Sequence, residues 1–167
     1  TEAVEALGGT HKIVHEGQVC AGLPTERTAW TAVGIRADGS VVLYTMDGRR
    51  SGHSVGATLS QIAQRLLELG CTDAIGMDGG GSTTLGAALP GQTAFQVVGK
   101  PSDGAQRANS TAIFLTTQLQ PTGMLGSYYV TPGDSMLLAK AAVQLSASGL
   151  DSAYYPVAGN PVSWTVS

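Results

Sequence analysis

The sequence predicts an α+β protein: a mixed β-sheet with one main helix packed on it, followed by a partial all-β segment. Only Ala57 to Leu69 carries apolar residues at helical spacing. Short alternating apolar runs, bounded by Gly, Asp and Pro, fill most of the remaining chain. At Gln118 the character changes, and beyond it only Asp134, Lys140 and Asp151 are charged. The division that follows is a first domain over 1–117, a linker over 118–123 and a partial sandwich-like segment over 124–167. With 23 glycines and 13% charged residues among 167, the composition also favours sheet over a helix bundle.

Taken in order, His11 to His15 reads as a strand, and Glu16-Gly17 as a hairpin turn into Gln18-Val19-Cys20. His11 and His15 share a strand face, but no acidic ligand accompanies them, so they are read as edge-strand side chains rather than metal ligands. Arg27 to Arg36 and Val41 to Met46 read as two strands joined by the Asp38-Gly39 hairpin turn. The polar loop Asp47-Gly48-Arg49-Arg50 follows. The helix stripe is Leu59, Ile62, Ala63, Leu66 and Leu67, stopped by Gly70. Cys71 to Met77 is a strand, Thr83 to Leu89 and Thr93 to Val98 are two more, and Ser110 to Thr116 is a last apolar strand of the first domain. Beyond the linker, Val130 to Asp134 reads as strand and turn, Ala141 to Ala147 as a half-buried strand, and Pro161 to Val166 as another.

The candidate site is the stretch Asp78-Gly79-Gly80-Gly81-Ser82-Thr83-Thr84. It delivers a carboxylate at a strand end, followed by glycines that let a ligand approach the backbone. Successive N–H groups in such a turn form an anion-binding concavity. The plain alternative is a tight turn with a local hydrogen bond from Asp78. Arg27, Asp47, Arg49 and Arg107 also fall near element ends, where sites are built. Arginine forks match phosphate bidentately, and paired carboxylates such as Asp78 and Asp47 suit the chemistry of sugar-bond hydrolases. Taken singly, each of these residues reads as an ordinary surface charge or turn.

Other chemistries fit less well. Gly52-His53-Ser54-Val55-Gly56 has the form of a nucleophile elbow, but no strand runs straight into it and no histidine follows Ser54. The glycine turn lacks the Lys-Ser/Thr ending of a phosphate-binding P-loop. Thr1 is more simply a fragment boundary than an N-terminal nucleophile. Cys20 and Cys71 match no zinc pattern and read as buried small hydrophobes, with a disulfide between them as the alternative if the fold brings them together. No metal site and no cofactor is expected. A net charge of -3 and only three lysines argue against a nucleic-acid partner, and no apolar run is long enough to span a membrane.

The ordered series Arg27-Thr28-Ala29, Val33-Gly34-Ile35, Asp38-Gly39, Asp47-Gly48-Arg49, Ser54 to Leu59, Asp78 to Thr84, and Arg107 before Ser110-Thr111-Ala112-Ile113-Phe114-Leu115 resembles the phosphodiester glycosidase family. This is the family of the N-acetylglucosamine-1-phosphodiester α-N-acetylglucosaminidase ("uncovering enzyme") domain, and the match covers roughly 1–117. The resemblance implies hydrolysis of a sugar-1-phosphodiester in extracellular or cell-surface glycans, with a glycan or sugar-phosphate as partner. It implies that Asp78 is catalytic or positions the sugar, that Arg27, Arg49 and Arg107 hold the phosphate, and that Gly79, Gly80, Gly81 and Ser82 line the subsite; Asp47, on the reading of the residues alone, is the second catalytic carboxylate. Gln61 stands where the family often has Glu, so no role passes to that position.

The cadence Thr131-Pro132-Gly133-Asp134-Ser135, Val143 to Ala147, and Gly159 to Val166 resembles the opening strands of a bacterial immunoglobulin-like domain. On both resemblances the chain is expected to lack the first part of one domain and the last part of the other. Self-association through such incomplete edges is then expected, and a surface or filament protein that retains the glycosidase scaffold is the alternative function.

Overall fold

The structure is a computed structural model that describes residues 6–133, 139–159 and 161–165. Thr1, Asp134, Ser135 and Val166, which figure in the expectations above, lie outside the described residues. The chain forms two compact units, one built from the chain up to Gly86 with Val97–Ala112, the other from Ala87–Gln96 with the chain from Ile113 onward.

The first unit is a five-stranded sheet in the order β2-β1-β5-β3-β4. Its strands are β1 (His11–His15), β2 (Gln18–Val19), β3 (Trp30–Arg36), β4 (Val41–Met46) and β5 (Cys71–Gly79). Every pairing is antiparallel, so the expectation of a mixed sheet is corrected. The single helix crossing from β4 to β5 returns the chain in the opposite direction to β3, which places β5 between β3 and β1. Glu16 and Gly17 both take positive φ, 47° and 73°, the geometry that lets a two-residue turn follow the twist of its strands.

The helix α1 (Leu59–Glu68) is shorter than the predicted 57–69 because Thr58 caps it. The Thr58 hydroxyl accepts from the Gln61 N–H at 3.3 Å, and the Gln61 side chain accepts from the Thr58 N–H at 3.0 Å. The two orphan donors of the first turn are thereby satisfied. Leu59, Ile62, Ala63 and Leu66 are buried and pack with Ile13, Val14, Trp30, Ala32, Cys71 and Ala74 in one core. Burying each large aliphatic side chain is worth about 1.5–3 kcal/mol. Gly34 lets the Cys71 sulfur lie against the sheet, since a Cβ there would stand 2.5 Å from it. Cys20 and Cys71 are free thiols, and burial raises the pKa of Cys71.

The strands expected over 83–89 and 93–98 shrink to a two-stranded ribbon of β6 (Gly86–Ala87) and β7 (Gln96–Val97). The strand expected over 110–116 is absent: that stretch finds no ladder partner, and Ile113, Phe114 and Leu115 are exposed.

In the second unit, β8 (Ser127–Thr131) pairs antiparallel with β9 (Ser146–Leu150) over five residue pairs. These are the only strands of that unit's later chain among the described residues. Among the described residues no partial immunoglobulin-like sandwich forms, and they are mostly sheet with one ten-residue α-helix rather than α+β with an appended sandwich. All five β8 residues are exposed, so no second sheet covers them among the described residues. Trp164, expected in a sandwich core, is 52% exposed. What organises this unit is Asp151, 2% exposed, whose carboxylate accepts from the N–H groups of Thr122, Gly123, Ala153 and Tyr155 at 2.6–3.3 Å.

Candidate functional site

The site is assembled on the backbone of Thr28 and Ala29, just before β3. Three turns press against this short segment at a separation that admits no side chain. A Cβ on Gly48 would overlap the Ala29 nitrogen, one on Gly56 would overlap the Thr28 carbonyl, and one on Gly79 would stand 2.6 Å from the Ala29 carbonyl oxygen. Hydrogen bonds fix the contacts. Thr28 and Ala57 exchange N–H···O bonds at 3.2 and 3.1 Å, and the Gly80 N–H donates to the Ala29 carbonyl at 2.9 Å. The Ser102 hydroxyl then straps two of the turns together, at 2.8 Å from the Gly48 carbonyl and 3.3 Å from the Gly80 carbonyl.

These contacts bring the glycine turn between two guanidinium groups. β5 runs on through Asp78 to Gly79, and Gly80–Ser82 closes as one 3-10 turn. Gly80 has φ +63°, and the space its Cβ would fill holds the Arg49 Nη2. The space beside Gly81 holds the Arg107 Nη2 and the Asp103 Oδ2. Arg49 itself sits at φ +51°, a left-handed conformation that costs a non-glycine residue about 1–3 kcal/mol. Strain of that kind persists where the surroundings force it, here because Gly48 is wedged against Thr28. Arg107 donates through Nε and Nη2 to one oxygen of Asp103, at 3.1 and 2.6 Å. Arg49 has no carboxylate partner among the described residues. Two cations thus meet one turn, Arg107 already paired with Asp103, so the Arg49 guanidinium is the one left to meet an anionic ligand.

Asp78 is exposed at the edge of this arrangement. The Ser82 hydroxyl, then the Gly79 N–H at 2.8 Å and the charge of Arg107, hold its carboxyl below the usual carboxylate range. It is therefore ionised at neutral pH, suited to accept a proton or stabilise positive charge rather than to donate one. Two of the three expected anion-nest donors are already engaged, Gly79 N–H with Asp78 and Gly80 N–H with Ala29. The glycines serve chiefly as places where guanidinium groups and backbone come close.

Asp47 is joined to the same cluster through its neighbours rather than by direct contact with Asp78. Its Oδ2 accepts from the Lys100 N–H at 3.0 Å and lies 2.8 Å from the His53 Nε2. The backbone carbonyl of Asp47 accepts the Ser54 hydroxyl at 2.7 Å, and the Ser54 oxygen accepts from the Gly56 N–H at 3.1 Å. Ser54 thus braces its own loop. Arg27 stands apart: its Nη1 only approaches the Gly56 carbonyl at 3.5 Å. An open depression of about 530 Å³ lies beside the cluster, lined by Arg49, Arg50, Ser51, Gly52, His53, Ser54 and Val55. No group of His, Cys, Asp and Glu suited to a metal occurs among the described residues.

The family model of the phosphodiester glycosidases (NAGPA) matches residues 1–116. The chain belongs to the phosphodiester glycosidase family. A curated relative, the SPbeta prophage-derived uncharacterized protein YomE of Bacillus subtilis, is 39% identical over 79 residues, 46% of this chain. The chain spans only 11% of that relative's length. Among solved structures, the zebrafish N-acetylglucosamine-1-phosphodiester alpha-N-acetylglucosaminidase catalytic domain, auto-inhibited by its pro-peptide, is 22% identical with a TM-score of 0.46. That match covers 57% of this chain and 34% of the other. A hypothetical protein from Synechocystis is 27% identical with a TM-score of 0.44, over 59% of this chain and 19% of its own.

Within this member of the family, sequence reasoning missed Ser102, Asp103 and His53. The stretch Lys100 to Arg107 reads as a plain loop, and only its Ser and Asp beside Arg107 hint at the strap. Ser102→Ala is expected to lower stability by about 0.5–1.5 kcal/mol, the net worth of one hydrogen bond. It should also reduce turnover, since the Gly48 and Gly80 turns lose their bridge. Urea midpoints checked beside activity would reveal an unaffected protein if the strap were incidental.

Proposed function

We propose that this chain carries the site of a phosphodiester glycosidase that hydrolyses a sugar-1-phosphodiester, releasing the sugar and leaving a phosphomonoester. The observation that carries this reading is the placement of the Arg49 and Arg107 guanidinium groups against Gly80 and Gly81, beside the ionised Asp78. Fixed cations at the phosphate stabilise the charge that develops as the glycosidic bond breaks. Asp78, held as a carboxylate, faces the sugar and stabilises its oxocarbenium-like transition state. Gly79 to Gly81 provide the close backbone approach and Ser82 keeps Asp78 in place. Arg27 serves at the margin of the site, toward the remainder of the substrate. Action on extracellular or cell-surface glycans belongs to the same proposal; among the described residues no helix is long and apolar enough to cross a membrane.

The test is sugar release from a sugar-1-phosphodiester by the full-length protein, compared with Arg49→Ala. Loss of one charge-assisted hydrogen bond to the phosphate, about 2 kcal/mol, predicts a fall in kcat/KM of roughly thirtyfold. An inactive, correctly folded wild type would overturn the reading, and so would an Arg49→Ala variant as active as wild type.

A further inference from the structure

The structure assigns His53 as the general base that activates the attacking water, with Asp47 as its positioning residue. This inference rests on the function proposed above and supplies the proton acceptor that reading leaves open. The Asp47 carboxylate can only accept hydrogen bonds, so the 2.8 Å contact places the imidazole proton on His53 Nε2. The lone pair is then on Nδ1, which has no hydrogen-bond partner among the described residues. Asp47 is itself fixed, since the same oxygen accepts the Lys100 N–H and Gly99 closes over the other, where a Cβ would stand 2.9 Å away. A carboxylate locked in this manner selects the tautomer and orientation of a histidine and stabilises the imidazolium formed on proton transfer. His53 also lines the depression that Arg49 borders, so this side chain and one phosphate-binding cation share one concave surface.

The chemistry of the leaving group explains why a base is the group required. An alcohol leaving a sugar needs a proton from a general acid. A phosphomonoester, whose second pKa is about 6, departs as an anion without one. In the step that follows, a water oxygen bonds to C1 of the sugar as the C1–O bond to phosphate breaks. The bonding electron pair stays on the phosphate oxygen, where Arg49 and Arg107 meet the charge. The water proton passes to His53 Nδ1 and afterwards to solvent. Because water attacks C1 directly, the anomeric configuration of the released sugar is inverted.

His53→Ala in the full-length protein is expected to lower kcat at least about a hundredfold, within the range of general base catalysis. Added imidazole should restore a substantial part of that loss by acting as a base in the vacated space. His53→Gln, which retains a donor toward Asp47, should be equally slow and should also respond less to imidazole because the space is filled. Asp47→Asn should reduce kcat while leaving KM within about threefold, as expected for loss of orientation rather than of binding. NMR of the first product formed should show inversion. An active wild type whose His53→Ala variant is within threefold of it, a slow variant that imidazole does not restore, or a retained anomer would each overturn this assignment and leave the proposed function standing. A wild type that releases no sugar overturns both.

Discussion

Gly81→Ala is expected to reduce kcat/KM by more than about a hundredfold while leaving the fold in place. A Cβ at this buried position would occupy the space of the Arg107 Nη2 and the Asp103 Oδ2, so the ion pair must move off the turn. Loss of a charged donor to an anion costs about 1.5–3 kcal/mol, roughly 10- to 150-fold. The pair's displacement also withdraws the charge that helps hold Asp78 ionised, so two contributions add. Gly81 does not have a positive φ, whereas Gly80 has φ +63°. Gly81→Ala therefore acts through space alone, and Gly80→Ala adds backbone strain of about 1–2 kcal/mol. A double-mutant cycle separates the causes: in an Arg107→Ala background, Gly81→Ala should have little further effect. Activity of Gly81→Ala within threefold of wild type would show that the contact between turn and guanidinium has no functional weight.

Asp151→Ala is expected to strip the second unit of its organising contact. Burial by itself raises the pKa of Asp151, yet the N–H groups of Thr122, Tyr155, Ala153 and Gly123 together bring its carboxyl below the usual range. Removing the acceptor leaves four donors without the carboxylate that gathers them. Hydrogen-exchange protection of those four amides should fall by roughly a hundredfold or more. The pH dependence has a definite sign. A carboxylate with a lowered folded-state pKa contributes its full stability above the ordinary carboxylate range, and loses it as pH falls through the lowered value. Protection of these amides should thus hold near neutrality and collapse in acid, and Asp151→Asn should flatten the acid limb. Unchanged exchange in Asp151→Ala would dismiss the carboxylate as the centre of this unit.

Much of the first unit was legible in the sequence because its signals are local. The Asp38-Gly39 turn, the stripe Leu59, Ile62, Ala63 and Leu66, and the Gly70 stop each act within a few residues. The strand over Cys71 to Met77 was equally clear, and the structure extends it to Gly79. The same local rules failed from Thr83 onward. Alternation in Ala141 to Ala147 and Pro161 to Val166 describes a strand only when another sheet covers one face. The exposed β8 and the 52% exposure of Trp164 show that none does among the described residues. For Ser110 to Thr116 the missing element is a ladder partner, which periodicity cannot report.

The candidate site divides in a similar manner. The sequence by itself determined that Asp78, three glycines and a set of arginines recur in an order that marks the phosphodiester glycosidase family. It also determined that the Ser54 motif lacked a base further along the chain. Only the tertiary structure decided which of these residues meet. Arg49 and Arg107 come to Gly80 and Gly81, Arg27 stays near Gly56, and Asp47 turns to His53. The reason is that the meeting point is made by backbone, not by a motif. Gly48, Gly56 and Gly79 are each small enough to rest on Thr28 and Ala29, and Ser102 ties two of those turns together across the fold. Close approach of main chains separated by tens of residues is a property of packing. A sequence records it only as a glycine whose neighbour is not yet known.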